Sequence, residues 1–441
     1  MAGRDAGIVT ISEGKKKKSA AIVFLLFLAV FLLNGRPLPE VDCVAAPYMA
    51  WSLVRHGSYD LRHYPELERY VGGPIRARPD GSWVSMRPPG SALAAVPFVA
   101  PFALFRDQPL RTLNMHHLGK LAAAMAVAGA AVFFFLICRR LAPAAAWPAT
   151  VLFAMGTCLY SVASQALWMH GPAVFWLCCA LYFLTRPDSD MVGSRLAAGL
   201  ALGFAALTRP TTVFFALATV GALVAQRRLR GVMWLMLGAL LPAILLVHYN
   251  WAHFGHPLLG GYENDDWNTS SPLWLGLSGL LIAPSRGLFV YSPALLLAIP
   301  GAWMLFHRSD EPATSARSML LSWLAAVGVT VVFFARWHDW WGGWSYGPRF
   351  LSETMPVLGL SFAVAYAGLR YQWQRAVAIA LVVLSVSVHA LGVFGHSGYA
   401  AWQLRHMSPD GGRSLFALED TQIEAHARAL IQKLRGARNP A

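Results

Sequence analysis

The sequence predicts an all-α polytopic membrane protein with about eleven transmembrane helices and a long first outer loop. Three observations carry that prediction. Apolar residues make up 56% of the 441 and charged residues only 13%, with a mean hydropathy of +0.47; a soluble chain of this length needs far more charge to solvate its surface. The apolar residues are gathered in long blocks rather than in the mixed periods of a soluble core. The short connections between blocks carry arginine at every second turn, which sets an orientation.

The net charge of +14 is scattered over many short loops. Orientation and anionic lipid account for it, and nucleic acid is not an expected partner. Of the five cysteines, Cys43 stands in a loop and Cys138, Cys158, Cys178 and Cys179 lie in apolar blocks. No CxxC pair or Cys/His cluster with zinc spacing occurs, so neither a disulfide framework nor a structural metal is supported.

Residues 1–18 form a basic N-terminal segment ending in four lysines at 15–18, and an apolar run follows at 19–33. The pattern resembles a signal peptide, but no small-x-small cleavage site follows closely. An uncleaved first helix is expected, its lysines snorkelling to the cytoplasmic surface. Either reading puts Asn34 onward outside. The outer loop 34–112 is too long for a connector and rich in polar and aromatic residues, a pattern that usually marks function. Within it, 90–105 is apolar but broken by Pro97 and Pro101. Counting that piece as a span would turn every later arginine pair outward, so an interfacial or re-entrant helix is expected.

Further spans are expected near 113–138, 143–160, 169–185, 194–208, 211–226, 231–251, 288–306, 318–335, 350–369 and 376–394. The short inner connections then hold Arg139/Arg140, Arg186/Arg195, Arg227/Arg228/Arg230, Arg308/Arg317 and Arg370/Arg375, against Arg209, Arg336 and Arg349 outside. Residues 19–395 thus form the transmembrane domain, with further outer loops at 252–287 and 336–349. The tail 396–441 lies outside. Its loop at 408–418 contains Pro409, Gly411 and Gly412, and Ile423, Ala427, Leu430 and Leu434 then share one face of a short amphipathic helix. That helix is expected to rest on the membrane or on the outer loops.

On this topology Asp5, Glu13, Asp188, Asp190, Asp310 and Glu311 are cytoplasmic, the rest of the 22 acidic residues are outer, and none is at mid-membrane. An ion-coupled transporter usually needs a carboxylate deep in the bundle. The chemistry is therefore expected on the outer side. Asp42 follows the first span in Glu40-Val-Asp42, at the membrane surface where an acceptor hydroxyl can meet a lipid-borne donor; the plainer role is a cap on the helix beginning near Cys43. Arg87 (Arg-Pro-Pro-Gly), Arg209 (Thr-Arg-Pro), Arg286 (Ser-Arg-Gly) and Arg349 (Gly-Pro-Arg) each sit beside Pro or Gly at the edge of a span. Singly, each could anchor to bulk lipid. Together, four guanidinium forks at helix breaks on one side suit a phosphate or pyrophosphate.

The stretch 337–349 packs four tryptophans and Tyr346 around His338, Asp339 and a Gly-Gly pair. An aromatic belt explains one or two of them, and the cluster, Trp344 included, suits the wall of a ring substrate. The run 164–172 holds Gln165 and His170, which either start a helix at Gly-Pro or add hydrogen bonds to a substrate.

At these residues the chain resembles the GT-C superfamily of glycosyltransferases, the class of protein O-mannosyltransferases and the lipid A aminoarabinose transferase. More closely, it resembles bacterial multi-spanning proteins of that class. The shared motifs are the Asp after the first span (Asp42), Lys/Arg-Pro-Pro-Gly (87–90), Ser-Gln-Ala-Leu-Trp-x-His-Gly (164–171), Leu-Thr-Arg-Pro (207–210), Arg-Gly-Leu-Phe-x-Tyr-Ser-Pro (286–293) and Gly-Trp-Ser-x-Gly-Pro-Arg (343–349). The likeness spans most of 20–395. It implies a polyprenyl-phosphate sugar as donor, an envelope glycan, lipid or protein as acceptor, and an active site on the non-cytoplasmic face of a bacterial inner membrane. It further implies Asp42 as general base and the arginines as phosphate ligands, with Tyr48 and Tyr291 joining Glu40, Gln165, His170, His338, Asp339, Trp344 and Tyr346 as substrate-wall candidates. The chain departs from the wider superfamily in lacking an adjacent acidic pair, since Cys43 follows Asp42 and Glu40 would not share a helix face with it. No metal ligand set is therefore assigned, and a divalent cation is the one cofactor left open. A transporter or flippase for a lipid-linked saccharide would use the same arginines and aromatics without a base. A non-catalytic scaffold in envelope assembly is the third reading.

Overall fold

The computed structural model describes residues 13–262, 268–307, 315–396, 399–406 and 413–436. Asp5, Arg308, Asp310, Glu311 and residues 408–412 of the loop expected at 408–418 lie outside the described residues. The chain is a bundle of apolar helices, as a bilayer demands of backbone that must satisfy its own hydrogen bonds. In order these are α1 (Glu13–Leu32), α2 (Ala45–His56), α3 (Gly90–Ala103), α4 (Thr112–Leu141), α5 (Ala146–Met155), α6 (His170–Leu184), α7 (Val192–Thr208), α8 (Val213–Ala225), α9 (Leu229–Phe254), α10 (Leu273–Ile282), α11 (Leu288–Tyr291), α12 (Ala298–His307), α13 (Ser315–Arg336), α14 (Met355–Gly368), α15 (Gln372–Phe394), α16 (Tyr399–His406) and α17 (Gln422–Leu434).

Every expected span contains a helix, and the protein is a membrane protein. Among the described residues, five segments are long and apolar enough to cross unaided: α4, α9, most of α13, Arg349–Gly368 and α15. The others are shorter, and the breaks have local causes. The expected span 288–306 is split into α11, a 3₁₀ turn at Pro293–Leu297 and α12, because Pro293 lacks an N–H and forces Ser292 out of the helical region. The expected span 143–160 stops at Met155, and the chain continues through a π turn at Leu159–Ala163 into a buried irregular stretch. Helix α10, within the segment 252–287, packs on α13 and was not anticipated from the sequence. The side chains α9 leaves exposed are mostly aliphatic, among them Leu237, Leu240, Leu241 and Ile244, as expected of a helix facing lipid tails.

The main core runs through α4, α5, α6, α7, α13 and α14. A second core, built from Tyr48, Trp51, Tyr64, Leu67 and Val99, belongs to the segment between α1 and α4. This segment is a folded layer: α2 and α3 pack together and against α4, and a two-stranded hairpin pairs β1 (Ile75–Ala77) with β2 (Trp83–Ser85), Ile75 opposite Ser85. Helix α3 is the apolar 90–105 segment, and it runs on through Pro97 and Pro101. It starts at Gly90, where a Cβ would lie 2.3 Å from Thr208 Oγ1. Only glycine lets the 87–90 turn touch the end of α7, and that contact sets Arg87 beside Arg209.

Candidate active site

Asp42 lies in a 3₁₀ turn, Val41–Cys43, just before α2. It does not cap that helix, whose N-cap is Val44 without a side-chain cap bond. Its carboxylate is instead strung between two guanidiniums: Arg87 Nη2 donates to Oδ1 at 2.8 Å and Arg349 Nη1 donates to Oδ2 at 3.0 Å. Each arginine is braced in turn. Arg87 Nη1 donates to the Tyr262 hydroxyl at 2.9 Å, and the Arg349 guanidinium lies 4.2 Å from the centre of the Trp168 ring. Burial alone would raise the Asp42 carboxyl, but the two guanidiniums outweigh it and hold it well below the usual carboxylate range.

Glu40 faces the same cavity, contrary to the expectation from helix geometry. Its backbone is extended, with φ −120° and ψ 172°, so the helical argument does not apply to it. Burial pushes its carboxyl up to about 8, Arg349 partly opposing and Asp42 adding to the rise. The turn thus pairs a carboxyl held low with a neighbour pushed up.

The cavity measures about 600 Å³ and is lined by Asp42, Glu40, Arg76, Arg87, Arg209, Arg349, Trp168, His170, Tyr262, Trp337, His338, Asp339 and Trp344, among others. Arg209 follows the last residue of α7, with its guanidinium 5.3 Å from the Phe334 ring centre and 5.7 Å from that of Phe350. Its counter-ion is Glu353, whose Oε2 lies 3.2 Å from Arg209 Nε and whose Oε1 is 2.8 Å from His170 Nδ1. Glu353 is only 2% exposed. A carboxylate is thus buried at the head of the Arg349–Gly368 segment, where the sequence reading placed only outer, solvated ones. It shares the 3₁₀ turn Arg349–Thr354 with Arg349, so one turn supplies the cavity with a guanidinium and its wall with a carboxylate.

The predicted residues divide into two groups. Asp42, Arg87, Arg209, Arg349, Glu40, His170, His338, Asp339 and Trp344 come together around the cavity. Arg286, Tyr48, Gln165, Tyr291 and Tyr346 do not. Tyr48 donates to Thr112 Oγ1 at 3.3 Å, Gln165 Nε2 to Ser164 Oγ at 2.9 Å, and Tyr346 to the Val388 carbonyl at 2.8 Å. Arg286, fully buried, and Tyr291 both donate to Gln422 on the C-terminal helix. The aromatic loop divides likewise: Trp337 and Trp344 line the cavity, while Trp340 is buried in the main core. Sequence reasoning missed Glu353, Tyr262 and Arg76, and it passed over Trp168 within its motif. For Glu353 a signal existed, since an acidic residue inside an apolar block needs a partner. Among the described residues no three His, Cys, Asp or Glu side chains converge as a metal cluster.

This helical membrane architecture is the GT-C fold. The chain is similar to two crystal structures of ArnT from Cupriavidus metallidurans, one bound to undecaprenyl phosphate (TM-score 0.54) and one in the apo state (TM-score 0.56). Each shares 16% identity and covers 95% of this chain and 77% of that one. No protein-family model and no curated protein matches the sequence.

Proposed function

We propose that this protein is a glycosyltransferase that moves a sugar from a polyprenyl-phosphate donor to an envelope glycan, lipid or protein acceptor on the non-cytoplasmic face. One observation carries the reading: a carboxylate and three guanidiniums, Asp42, Arg87, Arg349 and Arg209, share a cavity at the edge of the bundle. The solved neighbour bound to undecaprenyl phosphate supports a donor of that class.

In the proposed step an acceptor hydroxyl oxygen attacks the anomeric carbon and the bond from that carbon to the phosphate oxygen breaks. The hydroxyl proton passes to Asp42, and the leaving phosphate keeps the electron pair. Arg87, Arg209 and Arg349 offset the charge that develops on that phosphate. Asp42 is a weak base while both guanidiniums hold it. A donor phosphate shares those guanidiniums, which relaxes their grip and lets the carboxylate take a proton. Trp344 and Trp337 offer ring faces for the sugar, with polar contacts from His338 and Asp339.

A transporter for a lipid-linked saccharide is the second reading, and Glu353 buried beside Arg209 and His170 is the observation that favours it. One experiment separates the two. Radiolabelled polyprenyl-phosphate sugars are given to purified wild type and Asp42→Asn in detergent, with donor binding followed alongside. The transferase requires release of lipid phosphate by wild type and none by a folded, donor-binding variant. Equal turnover by both removes Asp42 from the base role. Binding and relocation in liposomes without turnover by either supports the transporter.

A further inference from the structure

Two of the sequence motifs, 286–293 and 343–349, converge on one side chain of the C-terminal helix. Gln422 opens α17 and is 0% exposed. Its Oε1 accepts three hydrogen bonds, from Arg286 Nη1 at 2.5 Å, the Tyr291 hydroxyl at 2.9 Å and the Gly347 N–H at 3.0 Å. Its Nε2 donates to the Ser345 carbonyl at 3.0 Å, and its backbone N–H donates to Ser285 Oγ at 3.2 Å. Arg286 Nη2 meanwhile donates to the Gly343 carbonyl at 3.1 Å. The 343–349 loop is therefore gripped at three backbone points: Gly343, Ser345 and Gly347.

The grip leaves little freedom. Gly347 has φ +69°, and a Cβ there would meet the Tyr291 ring at 2.7 Å. The loop must be satisfied in this left-handed conformation, close against an aromatic face. A neutral amide offers an acceptor to three donors and a donor to one carbonyl, which neither a carboxylate nor an aliphatic side chain does. A buried polar network that loses its central member costs more than its bonds taken singly. The loop carries Gly343, Trp344 and Arg349 into the cavity wall, and Arg349 is one of the two guanidinium partners of Asp42.

We propose that Gln422 is a positioning residue of the cavity: through this amide, α17 fixes the 343–349 loop in the shape that carries Arg349 to Asp42 and Trp344 to the wall. The C-terminal helix then belongs to the working apparatus of the site. The face it buries is Gln422, Ala425, His426 and Ala429, whereas Ile431 and Leu434 stay exposed. It packs on α15, and of its apolar stripe Ile423 packs against the cluster that holds Tyr291 and Tyr346.

Only the binding and turnover consequences rest on the proposed function; the clamp itself does not. The test uses the full chain in detergent with Gln422→Leu, which keeps volume and loses every side-chain bond, and Gln422→Glu, which keeps the acceptor alone. Hydrogen exchange across 343–349 and binding of undecaprenyl phosphate are measured on both. In Gln422→Leu we expect exchange about tenfold faster at Gly347 and binding about tenfold weaker. In an Arg349→Ala background the same change weakens binding no further, because the two effects are one. Gln422→Glu falls between wild type and Gln422→Leu, and it carries both measurements if the leucine variant does not fold. Wild-type exchange rates at 343–349 in the folded variants overturn the proposal, as does a full binding effect that persists without Arg349. If wild type binds no undecaprenyl phosphate, the proposed function fails and the exchange rates decide the clamp on their own.

Discussion

Arg349 and Asp42 stand 307 residues apart in the chain and meet at 3.0 Å, with Arg87 closing on the other carboxylate oxygen at 2.8 Å. The anion that Asp42 presents to these guanidiniums is the same kind of anion a donor phosphate would present. Carboxylate and phosphate therefore compete. Asp42→Asn removes the competing charge, so undecaprenyl phosphate should bind at least as tightly as to wild type, while sugar transfer falls by about 10²–10⁴-fold. Calorimetric binding beside a radiolabel turnover assay checks both. Weaker binding by a folded Asp42→Asn would mean that the carboxylate orders the arginines instead of competing for them.

The arginines themselves are not equivalent. Arg349 is stacked on Trp168 and Arg87 is bonded to Tyr262, so each is held at a fixed angle. Lysine supplies the charge without the planar fork. Arg87→Lys and Arg349→Lys should each weaken undecaprenyl phosphate binding by about tenfold, and the alanine variants by more. Arg286→Lys should leave the intrinsic affinity nearer wild type and show its cost in the thermal midpoint, because that side chain serves the Gln422 node.

Glu40 brings a pH dependence of definite sign. Its carboxyl rises from an ordinary value of 4.5 to about 8, so between those values the folded protein keeps a proton that the unfolded chain has lost. Stability from this group therefore falls as pH rises through that window, and Glu40→Gln should flatten the slope. Asp42 acts in the opposite sense: its carboxyl is held low, so its contribution is present at neutral pH and is lost on acidification below the ordinary carboxylate range. Undecaprenyl phosphate binding should also weaken as pH passes about 8 in wild type but not in Glu40→Gln, since ionised Glu40 adds negative charge beside the phosphate ligands. Thermal midpoints and binding isotherms from about pH 5 to about pH 9 test the assignment.

Much of the helical frame was legible in the sequence because apolar blocks in a lipid-facing chain have no competing explanation. Asp42 and the arginines beside proline or glycine were legible because charge at the edge of an apolar block is costly and stands out. Which way each side chain turns was not. Arg286 and Arg349 carry the same local signature, yet one is consumed by Gln422 and the other reaches the cavity. Spacing does not report a contact made 136 or 307 residues away. Glu40 was misread because a helical period was applied to an extended residue, and Glu353 was hidden at the head of an apolar span. The C-terminal helix has an evident apolar stripe, but only its first member, Ile423, packs inward, and Gln422, Ala425, His426 and Ala429 form the buried face.

Glu353 separates the catalytic from the transport reading. It is the carboxylate to which Arg209 and His170 are tied, and all three side chains are buried. Glu353→Ala leaves the Arg209 guanidinium without its counter-charge in a low-dielectric site and should cost roughly 3–5 kcal/mol of stability. Glu353→Gln keeps shape and one hydrogen-bond acceptor, and it releases Arg209 from its ion pair. In a transferase Arg209 only offsets charge on the leaving phosphate, so Glu353→Gln should fold, bind undecaprenyl phosphate at least as well and keep turnover within about tenfold of wild type. A carrier that moves a charged lipid by rearranging ion pairs inside its bundle should lose relocation with the same change. Turnover in detergent and relocation in liposomes, measured on the one variant, therefore give opposite answers under the two readings. Adding Arg209→Ala to Glu353→Ala should recover part of the lost stability, because it removes the uncompensated charge. Failure to recover any would assign the cost to packing around the 3₁₀ turn rather than to the ion pair.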